Sequence, residues 1–135
     1  MANLATKYLG LELKNPIVIG ASNIVTDVDN LIKLEKAGAA AIVYKSLFEE
    51  QIQLESYHLA EESQQYQDWD AEQASIFPDL GHAGPAEQLI KLKRAKQALG
   101  IPLIASLNAV LNETWVDYAV QIADTGIDAL ELNFY

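Results

Sequence analysis

The chain has 135 residues, is half hydrophobic and carries a formal net charge of −10. That length suits one ordinary domain around one core, and the acidity argues against nucleic acid and anionic membrane surfaces as partners. With no cysteine in the sequence, disulfides, thiolate metal sites and a cysteine nucleophile are excluded within these residues, and no metal site is expected. Thr6–Leu13 alternates around Gly10 and predicts a short hairpin. Asn15-Pro16 is a turn signal. Ile17–Ala21 predicts a compact buried strand that ends in small and polar residues, Gly20-Ala21-Ser22-Asn23. Two readings of that ending stand: a tight strand-to-helix turn, or a place where a ligand approaches the backbone closely. Thr26 is the expected N-cap of a helix running to about Lys36, with Asp27 and Asp29 favouring its amino end. Val28, Leu31, Ile32 and Leu34 form its apolar stripe, and Ala37-Gly38 stops it.

Ala40–Tyr44 has the size and branching of a strand buried on both faces, and it ends in Lys45. In parallel α/β sheets the carboxyl end of a strand is where ligands bind. A cation there suits an anionic or electron-rich ligand. The competing reading is a lysine that leaves the core on its long stem and reaches water. Glu49 to Gln73 is rich in Glu and Gln, and Gln51–Glu62 could form an exposed helix. The stretch from about 49 to 84 is too long for an ordinary connection in a compact α/β unit. It reads as a lid, a binding loop, an interaction surface or a solvated excursion. His82, between small residues, reads as a polar loop residue, with acid–base work as the alternative.

Pro85 and Ala86 open the next helix. Leu89, Ile90, Leu92 and Ala95 share one face, and Lys91, Lys93, Arg94 and Lys96 largely form a solvated outer face. Gly100 ends it. Ile101–Ser106 is the third predicted core strand, with Asn108 just past its carboxyl end. Asn112 is the expected cap of a helix with apolar positions Trp115, Val116, Ala119, Val120 and Ile122. Thr125-Gly126 closes it, and Ile127–Asn133 is the fourth strand.

Two segments share one grammar: Lys36–Lys45 and Asp124–Asn133. Each is a helix end, a glycine, a short apolar strand and a polar residue. Leu99–Ser106 is a looser third copy. Strands alternating with amphipathic helices imply right-handed crossovers and a parallel sheet. The expected fold class is therefore α/β: parallel (β/α) units forming the amino-terminal half of a TIM barrel, preceded by a short β-hairpin. Residues 1–135 would be one partial barrel domain with four core strands. A small open doubly wound domain is the alternative, although no G-x-G-x-x-G or P-loop follows any strand. The amino terminus lacks a signal-peptide pattern, and no apolar run approaches the roughly 18–20 residues that span a bilayer. A cytoplasmic protein is expected, with no membrane partner.

Taken together, the strand ends resemble those of the dihydroorotate dehydrogenase family of flavin barrels, including the related domain of dihydropyrimidine dehydrogenase. Tyr8–Ser22 is similar to that family's opening hairpin and first strand. Tyr44-Lys45-Ser46 resembles its flavin lysine motif, and Ala129–Asn133 resembles the strand carrying its ligand-binding asparagine. The resemblance implies an FMN-dependent oxidoreductase of pyrimidine metabolism, acting on a dihydropyrimidine-type CH–CH bond. Ala21 and Ser22 would let the FMN ring pack on the backbone. Lys45 would lie at its pyrimidine edge with Ser46 nearby, and Asn108 and Asn133 would present amides, so that Lys45 and Asn133 also meet the small-molecule substrate.

Two departures from the family pattern bear on chemistry. The family's Asn-x-Met-Gly-Leu-Pro-Asn run is replaced by Ser75–Gly81, which lacks an evident substrate asparagine. The family's catalytic Cys or Ser lies three residues beyond the asparagine matched by Asn133, past Tyr135. No catalytic residue is therefore assigned within the chain, and these 135 residues alone are expected to be inactive. The alternative reading is a non-catalytic half-barrel that self-associates. Unpaired edges on the first and fourth strands favour a homo-oligomer on either reading.

Overall fold

A computed structural model describes residues 3–48, 85–109 and 111–134. The expected excursion at 49–84, with its helix at 51–62 and His82, lies outside the described residues.

The chain opens with an antiparallel pair, β1 (Thr6–Tyr8) and β2 (Leu11–Leu13). Leu9 and Gly10 join them with φ of +52° and +78°. Positive φ at both central residues gives a turn whose twist matches the flanking strands. Five strands follow, interleaved with three helices. These are β3 (Val18–Ile19), α1 (Val28–Lys36), β4 (Ala41–Val43), β5 (Leu47–Phe48), α2 (Pro85–Ala98), β6 (Leu103–Asn108), α3 (Asn112–Ala123) and β7 (Ala129–Leu132).

All strand pairs in this sheet are parallel. β4 and β5 lie end to end along one edge of β6, and β7 lies along the other. The sheet thus runs as four lines in chain order: β3, β4 with β5, β6, β7. A doubly wound sheet reverses its strand order at a switch point; this one does not. The succession is consistent with half of an α/β barrel, and among the described residues the sheet is open.

The second line is broken by a β-bulge. Val43 pairs with Ile104 and Leu47 with Leu107, so four residue steps run against three. The extra residue falls within Tyr44-Lys45-Ser46. Tyr44 and Leu47 both pack into the core beneath the helices, where uninterrupted alternation would put them on opposite faces. A bulge of this kind re-aims side chains, and here it frees Ser46 for the opposite face.

The main core lies between sheet and helices. Ile42, Tyr44, Leu47, Leu103, Ala105 and Leu107 meet Leu31, Leu92, Ala95 and Ile122 there. On the other face, Leu11 and Leu13 of the hairpin pack with Ala40, Ala41 and Val18. The amino ends of the strands are pinned by side chains. Asn15 Nδ2 donates to Gly38 O at 3.0 Å while its Oδ1 accepts from Ile17 N at 2.9 Å. Asp128 Oδ2 accepts from Leu103 N at 2.8 Å and from Lys96 Nζ at 2.6 Å.

Several boundaries differ from the sequence expectation. The first core strand pairs only over Val18–Ile19, not Ile17–Ala21. The third begins at Leu103 and runs to Asn108, because Pro102 has no N–H to give the ladder. Its carbonyl instead accepts from Ile42 N at 3.1 Å. Thr26 is not the N-cap of α1. Its hydroxyl donates to Asn23 O at 2.9 Å, closing the 3₁₀ turn Asn23–Val25, and Asp27 takes the cap position. Asn112 stands one residue inside α3, with Leu111 in the cap position. Val116 and Val120, expected on the apolar face of α3, are exposed; Ile122 is buried and Trp115 and Ala119 pack on the core. No helix among the described residues is long and apolar enough to cross a membrane.

Candidate functional site

The carboxyl ends of the three neighbouring lines carry the polar residues. On β6, Ser106 and Asn108 are two residues apart and therefore share a face. Both are buried, at 2% and 8% exposure. Ser106 is paired in register with Glu131 of β7, and Asn133 follows Glu131 by two residues. The bulge supplies Lys45 and Ser46 from the second line, on the other side of β6.

Four of these side chains are joined. Ser106 Oγ donates to Glu131 Oε1 at 2.9 Å and lies 2.8 Å from Ser46 Oγ. Asn133 Nδ2 donates to Ser106 Oγ at 2.9 Å and, at 3.5 Å, approaches Glu131 Oε1. A serine hydroxyl has one proton and a carboxylate has none. The Ser106 proton is committed to Glu131, so Ser46 is the donor to Ser106.

Asn108 Oδ1 is different. It is a buried acceptor with no hydrogen-bond partner among the described residues. Buried polar groups are nearly always paired, and each exception calls for a physical reason. A bound molecule with a donor group supplies one. Lys45 is half-buried. Its backbone carbonyl accepts from Gln88 Nε2 at 3.0 Å, tying the bulge to α2. No ion pair involves its ammonium among the described residues. A small cavity under the bulge is lined by Lys45 and Ser106 together with Tyr44, Gln88 and Leu92.

The tyrosine beside Lys45 faces the other way. Tyr44 OH donates to Thr26 O at 3.1 Å. Burial, reinforced by the carboxylates of Asp27 and Glu87, raises its phenol to about 12.

The structure therefore brings Ser46 and Asn133 together through Ser106, sets Asn108 on the same strand face, and leaves Lys45 next to Ser46. Ala21 and Ser22 are exposed and follow β3 at the far line of the sheet. No hydrogen bond among the described residues joins them to the other candidates, and Ser22 O accepts from Val25 N at 3.3 Å. Sequence reasoning missed Ser106 and Glu131. The signal was present: Ser106-Leu107-Asn108 and Glu131-Leu132-Asn133 end two apolar strands with the same polar–Leu–Asn pattern. Period two puts each polar pair on one face.

A parallel sheet interleaved with helices defines an α/β protein, and in such sheets the strand carboxyl ends, where Lys45 and Asn108 stand, are the usual place for ligands. No protein-family model matches the chain. It is similar to the dihydroorotate dehydrogenase B (NAD(+)), catalytic subunit, of Thermoplasma acidophilum, at 28% identity over 138 aligned positions. The alignment covers 98% of this chain and 42% of that relative, so the chain spans less than half the relative's length.

Proposed function

We propose that the chain is the amino-terminal half of an FMN-dependent oxidoreductase barrel resembling dihydroorotate dehydrogenase, acting on a dihydropyrimidine-type CH–CH bond. One observation carries this reading: Asn108 Oδ1, buried and unpartnered among the described residues, sits on the same strand face as the Ser46–Ser106–Glu131–Asn133 network, beside Lys45. The similarity to a dihydroorotate dehydrogenase catalytic subunit over 98% of the chain supports it. The pyrimidine edge of a flavin carries two carbonyl oxygens and one N–H. The donor and acceptor set at the strand ends fits such an edge.

Lys45 would place its ammonium against the ring, stabilising negative charge as it develops there. Ser46, Asn108 and Asn133 would orient the ring through hydrogen bonds, and Ala21 and Ser22 would let it approach the backbone. Lys45 and Asn133 would also meet substrate. When bound, the flavin supplies hydride acceptance. Ser75–Gly81 lacks the family's orotate-binding asparagine, so the proposed substrate is a small dihydropyrimidine other than dihydroorotate. Cytoplasmic location and a homo-oligomeric state belong to the same reading.

Titration of the full-length protein with FMN tests it. Saturable one-to-one binding with a perturbed flavin spectrum is the expected result. A folded full-length protein that leaves the flavin spectrum unchanged overturns the reading. A second reading, a non-catalytic half-barrel that self-associates, is favoured by the exposed Leu132 and Phe134 at the β7 end of the sheet.

A further inference from the structure

We infer that Glu131 is a positioning residue that fixes the hydrogen-bond polarity of the strand-end site, so that the site selects a ligand edge bearing an N–H. This rests on the proposed ligand site and adds what governs its selectivity.

The starting point is Glu131 Oε1, which can only accept. It takes the Ser106 proton at 2.9 Å. Ser106 Oγ is then an acceptor toward both remaining neighbours. Ser46 Oγ, 2.8 Å away, must turn its own proton toward Ser106. Asn133 must turn its NH₂ side toward Ser106 and Glu131, at 2.9 and 3.5 Å, since both groups facing it are acceptors. One carboxylate thus sets three neighbours. What remains open is the lone pairs of Ser46 Oγ and the carbonyl Oδ1 of Asn133.

Asn108 Oδ1 supplies the independent observation. Among the described residues it is a buried acceptor without a partner, two residues along the same strand face from Ser106. Acceptors from three adjacent lines, Ser46 Oγ, Asn108 Oδ1 and Asn133 Oδ1, therefore stand at the strand ends, of which Asn108 Oδ1 is buried and unpartnered among the described residues, with Lys45 as the nearby donor. A molecule that fills them must bring a hydrogen-bond donor and, for Lys45, a carbonyl or anionic oxygen. The chemical class is the amide or imide edge, –C(=O)–NH–. Without Glu131, the Ser106 proton is released toward Ser46 or Asn133. The Asn133 amide can then turn, and the site shows donors where it had acceptors.

The test has a ligand-free arm and a ligand arm. In ¹⁵N–¹H spectra of the full-length protein, both Asn133 side-chain amide protons should exchange with solvent at least about tenfold more slowly than those of the exposed Asn112. The protection should be lost in Glu131→Leu and kept in Glu131→Gln, whose carbonyl oxygen can accept in place of Oε1. Ser106→Ala serves the same purpose if Glu131→Leu does not fold. The same spectra are then titrated with 1-methyluracil and 1,3-dimethyluracil, which differ only in one N–H, and with FMN and 3-methyl-FMN. Wild type should prefer the N–H member by about tenfold, the order of one hydrogen bond. Glu131→Leu should lose that ratio, and Glu131→Gln should keep most of it. An unprotected Asn133 amide overturns the inference, and so does a wild type that shows no preference for the N–H member in either pair. Discrimination between the uracils without flavin binding leaves the inference standing and overturns the flavin reading alone.

Discussion

Tyr44 reaches from the end of β4 to the carbonyl of Thr26 at 3.1 Å, binding the strand that precedes Lys45 to the turn that precedes α1. Its phenol is held at about 12 by burial, with Asp27 and Glu87 adding to the effect, against about 10 in an unfolded chain. The folded state thus favours the protonated phenol. The resulting stability is fully present below pH 10 and is lost as pH rises from 10 toward 12, amounting to about 2–3 kcal/mol. Tyr44→Phe should flatten this part of the stability curve and remove about 1 kcal/mol at neutral pH with the hydrogen bond. Urea melts between pH 8 and 12 check both; parallel curves for the two proteins would refute the assignment.

Leu9 holds φ at +52° with its side chain largely exposed. Left-handed backbone costs a branched L-residue about 1–2 kcal/mol, and Asn tolerates it better. Leu9→Asn should therefore raise the melting temperature, by about 0.5–1 kcal/mol in stability terms. A lower melting temperature would show that Leu9 makes a contact outweighing its backbone strain.

Asp128 receives both the amide of Leu103 and the ammonium of Lys96 on one oxygen. Leu103 is fully buried, so removing the carboxylate leaves a poorly hydrated donor. Asp128→Ala should destabilise by about 1–3 kcal/mol. Lys96→Met should do much less, since the pair is partly exposed and such pairs contribute about 0–1 kcal/mol. Chemical denaturation of the two single variants and the double variant separates the terms. Equal losses from the two single variants would put the ion pair, not the amide bond, in control.

Lys45 is the cation at the proposed flavin edge. Lys45→Ala in the full-length protein should slow flavin reduction by substrate on the order of 100-fold, as loss of a positioned charge does elsewhere. Stopped-flow absorbance of the flavin measures this directly. An unchanged rate would remove Lys45 from the site while leaving the Asn108 and Glu131 geometry intact.

The sheet was legible because glycine, apolar run and polar residue recur at Gly38–Lys45 and Gly126–Asn133, and burial on both faces, as at Ala41–Val43, demands such runs. Lys45, Ser46, Asn108 and Asn133 could be picked out as strand ends on that basis. The bulge could not, because nothing in Tyr44-Lys45-Ser46-Leu47 marks an extra residue; it appears only when Leu47 is seen opposite Leu107. Glu131 was hidden for a related reason. Read alone, a carboxylate between two leucines is an outward-facing residue on an alternating strand. Its partner Ser106 lies 25 positions earlier in the chain. At α1 the cap went wrong where two polar residues adjoin: Thr26 closes the 3₁₀ turn, and Asp27 takes the cap position without a side-chain capping bond.

The edges of the sheet carry the last prediction. Among the described strands, β3 pairs only with β4 and β7 only with β6, so each has one open ladder. The middle of the sheet does not share this exposure: Val43 and Ile104 are 7% and 1% exposed. The apolar surface gathers instead at the β7 end, where Leu132 is 43% and Phe134 75% exposed. Phe134 stacks at a tilt on Trp115, with ring centroids 4.8 Å apart, which holds it as part of a surface and not as a loose tail. Open ladders and apolar side chains at one edge both favour pairing with another chain. The 135-residue chain should therefore sediment as a dimer or larger species at micromolar concentration. Leu132→Lys should shift it toward monomer, since an edge lysine blocks strand addition without touching the core. A wild-type chain that stays monomeric at these concentrations, with one cooperative melt, would show that the β7 edge is not a pairing surface.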